Sequence, residues 1–157
     1  MKIRHLERTQ TIPRPFEEVF EFFSDPRNLE RITPAILRFE FLAPPPVKVS
    51  AGAILDYRIR LYGIPVHWRT RIELVEPPHR FIDVQEKGPY ALWRHTHTFR
   101  EVGGGETAMT DHVEYAMPLG PLGEIAYRLF VAKSLNQIFD FRQNEMSLMF
   151  AGTATRQ

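Results

Sequence analysis

Apolar residues recur at two different periods along the chain, and the changes of period predict its elements. A loosely alternating stretch over residues 5–12 predicts a strand, which Pro13 ends. Apolar residues at spacings of three and four over residues 16–23 then predict a helix with one apolar face. A second short helix is predicted over residues 27–32, after the capping sequence Asp25-Pro26.

The middle of the chain alternates apolar and polar residues at a period of two, which is typical of half-buried strands. This pattern predicts six further strands, over residues 37–42, 54–62, 66–75, 80–86, 91–101 and 107–117. The connections are short, and the last one is a tight hairpin at Gly103-Gly104-Gly105. Strands joined by such short turns form an antiparallel meander with one face on a core.

From Pro121 onward the helical period returns for about 28 residues, with an apolar stripe wider than half of the helix. So broad a stripe must lie across a large apolar surface, and the sheet is the partner of sufficient size. We therefore predict one α+β domain over residues 1–157, in which a curved antiparallel sheet of about seven strands wraps a long C-terminal helix. Lys133 interrupts the stripe, either as an exposed residue or as a cation at a cavity mouth.

Composition removes several classes of function. Twenty basic residues stand against 19 acidic ones, and the resulting net charge of +1 argues against nucleic acid as a partner. The sequence has no cysteine, so disulfides, thiolate metal sites and cysteine nucleophiles are excluded. No apolar run is long enough for an integral membrane segment, and the start MKIRHLERTQ lacks a signal segment, so we expect a cytoplasmic location.

Three stretches of sequence carry a family resemblance. The segment IPRPFEEVFEFFSDPRNLERITP runs from the predicted first strand through a helix into the turn Asp25-Pro26-Arg27-Asn28-Leu29. The stretches FIDVQEKGPYALWRHTHTF and TDHVEYAMPLGPLG follow later. With the order of elements, they resemble the START/Bet v 1-like (SRPBCC) superfamily and its bacterial ligand-binding, polyketide cyclase-like subgroup. The resemblance implies a helix-grip fold with a cavity between sheet and helix, but it names no ligand.

Polar and aromatic side chains share the face of three neighbouring strands that should point inward. These inward positions are Asp83, Gln85, Trp93, His95, His97, Phe99, Asp111 and Tyr115. Further cavity walls are expected from Tyr57 and Trp68 on earlier strands and from Leu129 on the long helix. Burying five polar groups is costly unless each has a partner or contacts a ligand.

Two interpretations of this polar cluster stay open. Either the groups line a cavity and meet the polar end of a ligand, or Asp83–His95 or Asp111–His97 pairs form an internal network that fixes strand register. A His–Asp pair would also make a general base, with His95 or His97 as the base and Asp83 or Asp111 as its partner. Two histidines and a carboxylate suit zinc or iron, but His-x-His on a strand is common without a metal, so we predict neither metal nor cofactor.

We predict that the protein binds a small hydrophobic or amphipathic molecule, such as a lipid, quinone, polyketide or aromatic metabolite. The alternative is a cyclase or dehydratase that uses a His–Asp pair in the same cavity. A second alternative is a protein-interaction adaptor with a vestigial cavity. It predicts an exposed apolar patch near Phe141, Met149 and Phe150, which would also serve a homodimer.

Overall fold

Seven strands form one antiparallel sheet in the computed structural model, which describes residues 1–151. The strands are β1 (Arg4–Ile12), β2 (Glu40–Phe41), β3 (Ile54–Leu61), β4 (Ile64–Glu76), β5 (Arg80–Lys87), β6 (Leu92–Val102) and β7 (Glu106–Ala116). Their order in the sheet is β1-β7-β6-β5-β4-β3-β2. The first strand therefore pairs with the last one, and the others follow one another as the predicted meander.

Four α-helical segments accompany the sheet, and they match the predicted order of elements. They are α1 (Phe16–Ser24), α2 (Asn28–Arg31), α3 (Gly120–Ala126) and α4 (Ala132–Ala151). A π-helical turn, Tyr127–Val131, joins α3 to α4, so the long C-terminal helix is continuous but not uniform. The α+β helix-grip architecture predicted from the sequence is confirmed.

Strand β2 is shorter than the predicted strand over residues 37–42. A 3₁₀ turn occupies Ala35–Leu37, and Arg38 follows it in the left-handed region with φ of 47°. This conformation breaks the extended backbone, so the ladder with β3 begins only at Glu40.

The strand faces follow the predicted alternation where it matters for function. His95 and His97 on β6 are each 5% exposed, whereas Thr98 next to them is exposed. Asp111 and Tyr115 on β7 are 6% and 4% exposed, on the inward side of that strand. The tight turn at Gly104 and Gly105, both with positive φ, joins β6 to β7 and holds this register.

Two apolar clusters fill the space between the sheet and the helices. The first lies beneath α1 and includes Phe20, Phe81 and Phe99. The second lies against α4 and includes Trp93 and Phe139. His97 stacks on Phe81 at 4.1 Å between ring centroids, and the His95 ring lies 5.8 Å from that of Phe139, so the histidines sit between the two clusters.

The prediction of an exposed apolar patch near the end of α4, which an adaptor role required, is wrong. Phe150 is only 8% exposed and packs into the first cluster, and Met149 packs against the same cluster. Phe141 is half-buried. None of the helices formed by residues 1–151 is both long enough and apolar enough to cross a membrane.

Candidate functional site

A cavity of about 220 Å³ lies between the sheet and α4. It exceeds the roughly 150 Å³ of an apolar cavity that takes up a benzene ring. Strands β3 to β6, the 3₁₀ turn and α4 supply most of its lining. Its size therefore suits a compact molecule of one or two rings.

Aromatic side chains form one wall of this cavity. Tyr57 and Trp68 are cross-strand neighbours on β3 and β4, and their rings stack at 6.1 Å. Trp93 meets Trp68 edge to face at 5.3 Å, and Tyr90 lies 4.8 Å from Trp93. All four line the cavity, so the predicted walls at Tyr57, Trp68 and Trp93 face the space in which a ligand would lie.

The polar end of the cavity is a cluster from three neighbouring strands. Asp83 on β5 lies opposite His95 on β6, and His97 lies opposite Asp111 on β7. The two imidazole rings stack at 3.7 Å between centroids. Because residues two apart on a strand are about 7 Å apart at the backbone, the two rings must lean towards each other.

This leaning changes the pairing expected from the register. The short hydrogen bonds are diagonal, with His97 Nε2 2.6 Å from Asp83 Oδ2 and His95 Nε2 2.8 Å from Asp111 Oδ1. The directly opposite pairs are longer, at 3.9 Å from His95 Nδ1 to Asp83 Oδ2 and 3.4 Å from His97 Nδ1 to Asp111 Oδ1. Each carboxylate thus spans one edge of the stacked imidazole pair.

Arg142 on α4 completes the cluster, and the sequence reasoning missed it. Its Nη2 donates to Asp111 Oδ1 at 3.1 Å and lies 3.4 Å from His97 Nδ1. The residue is 8% exposed, and its guanidinium lies 5.2 Å from the ring centroid of Phe23. The available signal was its spacing of three from Phe139 and four from Met146, which places an arginine within the apolar stripe.

The environments of the two histidines shift their pKa values in opposite directions. Burial, together with the charge of His97, lowers the pKa of His95 to about 4, although its bond to Asp111 opposes the shift. Burial by itself would lower the pKa of His97 too, but its hydrogen bonds to Asp111 and Asp83 outweigh burial and raise it. His95 is therefore neutral near pH 7.

The two carboxylates stay ionised despite their burial. Burial alone raises the pKa of Asp111, but the Arg142 charge and the hydrogen bonds of both histidines hold it well below its usual value. Burial likewise raises the pKa of Asp83, and the bond to His97 with the nearby positive charges more than reverses that effect. Arg142 thus compensates the charge of Asp111 directly, while Asp83 is held ionised mainly by the two histidines, with a smaller effect of Arg142.

The ionised Asp111 fixes the tautomer of His95. A carboxylate only accepts hydrogen bonds, so the Nε2 of His95 carries the proton and its Nδ1 is bare. His95, His97 and Asp83 all line the cavity, and each offers one ligand atom within 4.8 Å of the other two. The arrangement can therefore bind a polar group, accept a proton or coordinate a cation.

Four predicted site residues lie outside the cavity lining. Asp111 lies behind the histidines, Phe99 is 1% exposed in the first apolar cluster, and Tyr115 belongs to the second. The Gln85 amide is occupied by the backbone of Tyr90, donating to its carbonyl at 2.8 Å and accepting from its N–H at 3.1 Å. It therefore positions a wall residue instead of facing a ligand.

A further predicted wall, Leu129, is wrong. Its side chain is 64% exposed and does not line the cavity. Leu129 lies within the π-helical turn, where each turn holds more residues than in an α-helix. A stripe extrapolated at a uniform 3.6 residues per turn loses its register there.

Two residues that line the cavity each carry a buried donor atom without a hydrogen-bond partner. Within residues 1–151 these atoms are Trp68 Nε1 and Arg142 Nε, on side chains that are only about 7–8% exposed. A buried N–H without a partner costs about 1–3 kcal/mol, so an acceptor atom reaching either group would be favoured.

A family model described as polyketide cyclase / dehydrase and lipid transport matches residues 4–144. Among solved structures, TTHA0849 from Thermus thermophilus is 18% identical with a TM-score of 0.74, over 98% of this chain and 100% of that one. The Zhui aromatase/cyclase from Streptomyces sp. R1128 is 16% identical with a TM-score of 0.72, over 92% of each chain. A START superfamily protein from Mycobacterium smegmatis is 12% identical with a TM-score of 0.68, over 92% of this chain and 98% of that one. These low identities show the shared fold alone, and no curated protein matches the sequence.

Proposed function

Because the chain belongs to the polyketide cyclase / dehydrase and lipid transport family, we propose that it binds a small amphipathic molecule in the cavity between sheet and α4. The single observation that carries this proposal is an aromatic-walled cavity whose lining residues include two, Trp68 and Arg142, that each carry a buried N–H donor without a partner. Apolar walls supply most of the affinity of such sites, and a few polar groups set the orientation of the ligand.

The size of the cavity narrows the class of molecule. At about 220 Å³ it suits one or two rings better than a diacyl lipid, which is far larger. A quinone, a short aromatic polyketide or another aromatic metabolite fits the stacked rings of Tyr57 and Trp68. Of the compound classes predicted from the sequence, the aromatic ones are therefore favoured.

The unpaired donors narrow the class further, towards ligands with acceptor oxygen atoms. The indole N–H of Trp68 and the Nε–H of Arg142 both donate, and neither accepts. A carbonyl, phenolate or carboxylate oxygen meets this requirement, and a plain hydrocarbon does not. The expected ligand therefore combines a flat apolar body with at least one acceptor oxygen.

The first experiment identifies the ligand directly. Protein purified without denaturation is extracted, and the extract is analysed by mass spectrometry against an extract of a Trp68→Asp, Trp93→Asp variant purified in parallel. We expect one aromatic compound in stoichiometric amount in the extract of the wild-type protein only. A long-chain lipid as the stoichiometric compound would contradict the size argument.

A second experiment uses the two tryptophans of the chain, because both line the cavity and report on it through their fluorescence. In buffer with EDTA, 1,4-naphthoquinone and naphthalene are titrated as probes of similar size with and without acceptor oxygens. We expect tighter binding of the quinone and a loss of roughly 5- to 10-fold for it alone in Trp68→Phe, the worth of one hydrogen bond. Leu129→Ala, at an exposed position, is the matched control and should leave both affinities unchanged.

The second candidate function is an enzyme that uses His95 as a general base. The observation that favours it is the bare Nδ1 of His95, which the Asp111 carboxylate fixes on a residue that lines the cavity. On this hypothesis, a His95→Gln variant still binds the extracted compound or its precursor but no longer converts the precursor. Conversion that survives His95→Gln would exclude this role.

A further inference from the structure

The two ends of the stacked histidine pair are not equivalent in charge. At one end, Asp111 is neutralised by Arg142 at 3.1 Å. At the other end, Asp83 has no lysine or arginine within ion-pair distance in the described part of the chain, and its partners are the histidines alone. The Asp83 end also faces the cavity, whereas Asp111 does not line it.

The nitrogen atoms at the Asp83 end are those that a metal requires. His95 Nδ1 is bare because Nε2 carries the proton shared with Asp111. His97 Nε2 lies 2.6 Å from Asp83 Oδ2, and His97 Nδ1 lies 3.4 Å from Asp111 Oδ1. In the neutral tautomer with its proton on Nδ1, His97 donates towards Asp111 and its Nε2 is unprotonated. Both rings then present a lone pair towards Asp83.

We propose that Asp83 Oδ2, His95 Nδ1 and His97 Nε2 form a site for a divalent first-row transition metal ion, such as Zn²⁺, at the polar end of the cavity. Asp83 Oδ2 lies 2.6 Å from His97 Nε2 and 3.9 Å from His95 Nδ1, and the three residues offer ligand atoms within 4.8 Å of one another. Ligand atoms bound to one tetrahedral metal at about 2.1 Å are roughly 3.3 Å apart, so adjustments on the order of 1 Å complete the site. Two histidines and one carboxylate with an open position are a donor set suited to zinc or iron.

The surroundings supply what such sites need beyond their direct ligands. Histidine ligands of metals donate their other ring N–H to a carboxylate or carbonyl, which fixes their orientation. Here Asp111 lies at this position for both rings, and Arg142 in turn holds Asp111. Arg142 Nη2 lies 3.4 Å from His97 Nδ1, on the side of the rings away from Asp83, and donates a hydrogen bond to Asp111.

This inference goes beyond the binding of a small molecule and is tested without one. Protein freed of metal with EDTA and dialysed is titrated with ZnCl₂ by calorimetry, and the zinc retained after gel filtration is counted by mass spectrometry. We expect one equivalent to bind the wild-type protein. The small-molecule experiments above are run in EDTA, so either proposal can fail while the other stands.

Three variants locate the metal. Asp83→Asn keeps the shape of the side chain and should abolish stoichiometric binding. Asp111→Asn should weaken binding by about 10- to 100-fold, the usual effect of losing a carboxylate that orients a histidine ligand. His112→Ala is the control, because His112 and His5 form an exposed pair on the outer face, with ring nitrogens 3.1 Å apart, that would also attract zinc.

A readout on the unaltered protein keeps the proposal testable if Asp83→Asn does not fold. Paramagnetic Co²⁺ should shift or broaden the NMR signal of the Trp93 indole, whose ring lies 6.4 Å from that of His95. Failure of the wild-type protein to bind zinc, undiminished binding in folded Asp83→Asn, or loss of binding in His112→Ala would each overturn the proposal. Perturbation of the His5 signal without that of Trp93 would overturn it as well.

Discussion

The buried ion pair between Asp111 and Arg142 gives the strongest prediction about stability. Both side chains are less than 10% exposed, and the pair joins β7 to α4 at 3.1 Å. In Asp111→Asn the amide oxygen can still accept the hydrogen bond of His95 Nε2, so the main loss is the charge opposite Arg142. Removing one partner of a buried pair typically costs about 3–5 kcal/mol, because the other charge remains buried without compensation.

The double variant separates the worth of the pair from the cost of breaking it. We expect Arg142→Met alone to cost about 3 kcal/mol, since Asp111 keeps only its two histidine partners. The double variant Asp111→Asn, Arg142→Met removes both charges of the pair, so neither is left buried alone. Its loss in free energy of unfolding should therefore be smaller than the sum of the two single-variant losses by about 2 kcal/mol. The strength of coupling is therefore the quantity to measure.

Urea unfolding in EDTA, followed by circular dichroism, gives the free energies of unfolding for the cycle. A loss of about 3 kcal/mol also corresponds to a melting temperature lower by roughly 6–12 °C for a chain of this size. Glu73→Gln is the control, because it breaks an ion pair with Arg94 on the exposed face and should cost less than about 1 kcal/mol. If Asp111→Asn costs no more than Glu73→Gln, the cluster is not a buried charge network and the reasoning is refuted.

Three further predictions follow from the same geometry. Because burial lowers the pKa of His95 from 6.5 to about 4, the unfolded chain takes up a proton over that window and the folded protein does not. The free energy of unfolding without metal should therefore fall by on the order of 3 kcal/mol from pH 6.5 to pH 4. The pKa of His97 is raised, so the stability that His97 contributes is lost as pH rises through its folded pKa. Urea unfolding measured from pH 4 to pH 8 tests both effects, and a flat profile would contradict both. Leu135→Ala, at a buried cavity position, should lower the free energy of unfolding, measured by urea unfolding, by about 2–5 kcal/mol, and Leu129→Ala by less than about 0.5 kcal/mol. Equal losses in the two variants would contradict the position of Leu135 in the buried wall of the cavity. Gln85→Glu sets a carboxylate oxygen against a backbone carbonyl, so thermal melts should show a loss of about 1–3 kcal/mol, and an unchanged melt would mean that the Gln85 bonds do not hold the neighbouring loop.

The strands could be predicted well because their side chains alternate at a period of two, which assigns both faces without any knowledge of neighbouring elements. Once one residue of β6 is assigned to the inward face, the alternation puts His95 and His97 on that face too. The surface-like residues on the opposite face indicate which of the two faces is buried. The hydrogen bonds among the cluster could not be predicted in the same way. Register places Asp83 opposite His95, but the choice between straight and diagonal pairs depends on how the stacked rings lean, which no sequence pattern encodes.

The C-terminal helix was harder to interpret, because a broad apolar stripe shows neither where the helical geometry changes nor which polar residues lie on the buried face. The π-helical turn moved Leu129 to the surface without leaving any trace in the spacing of apolar residues. Arg142 could have been found through charge: two inward aspartates require a buried cation, the inward faces of β5, β6 and β7 hold none, and the long helix is predicted to pack across those faces. Lys133 is exposed, whereas Arg142 lies three residues from Phe139 on the buried face. Counting the charges of a predicted cavity, in addition to its apolar walls, therefore leads to the residue that joins the long helix to the site.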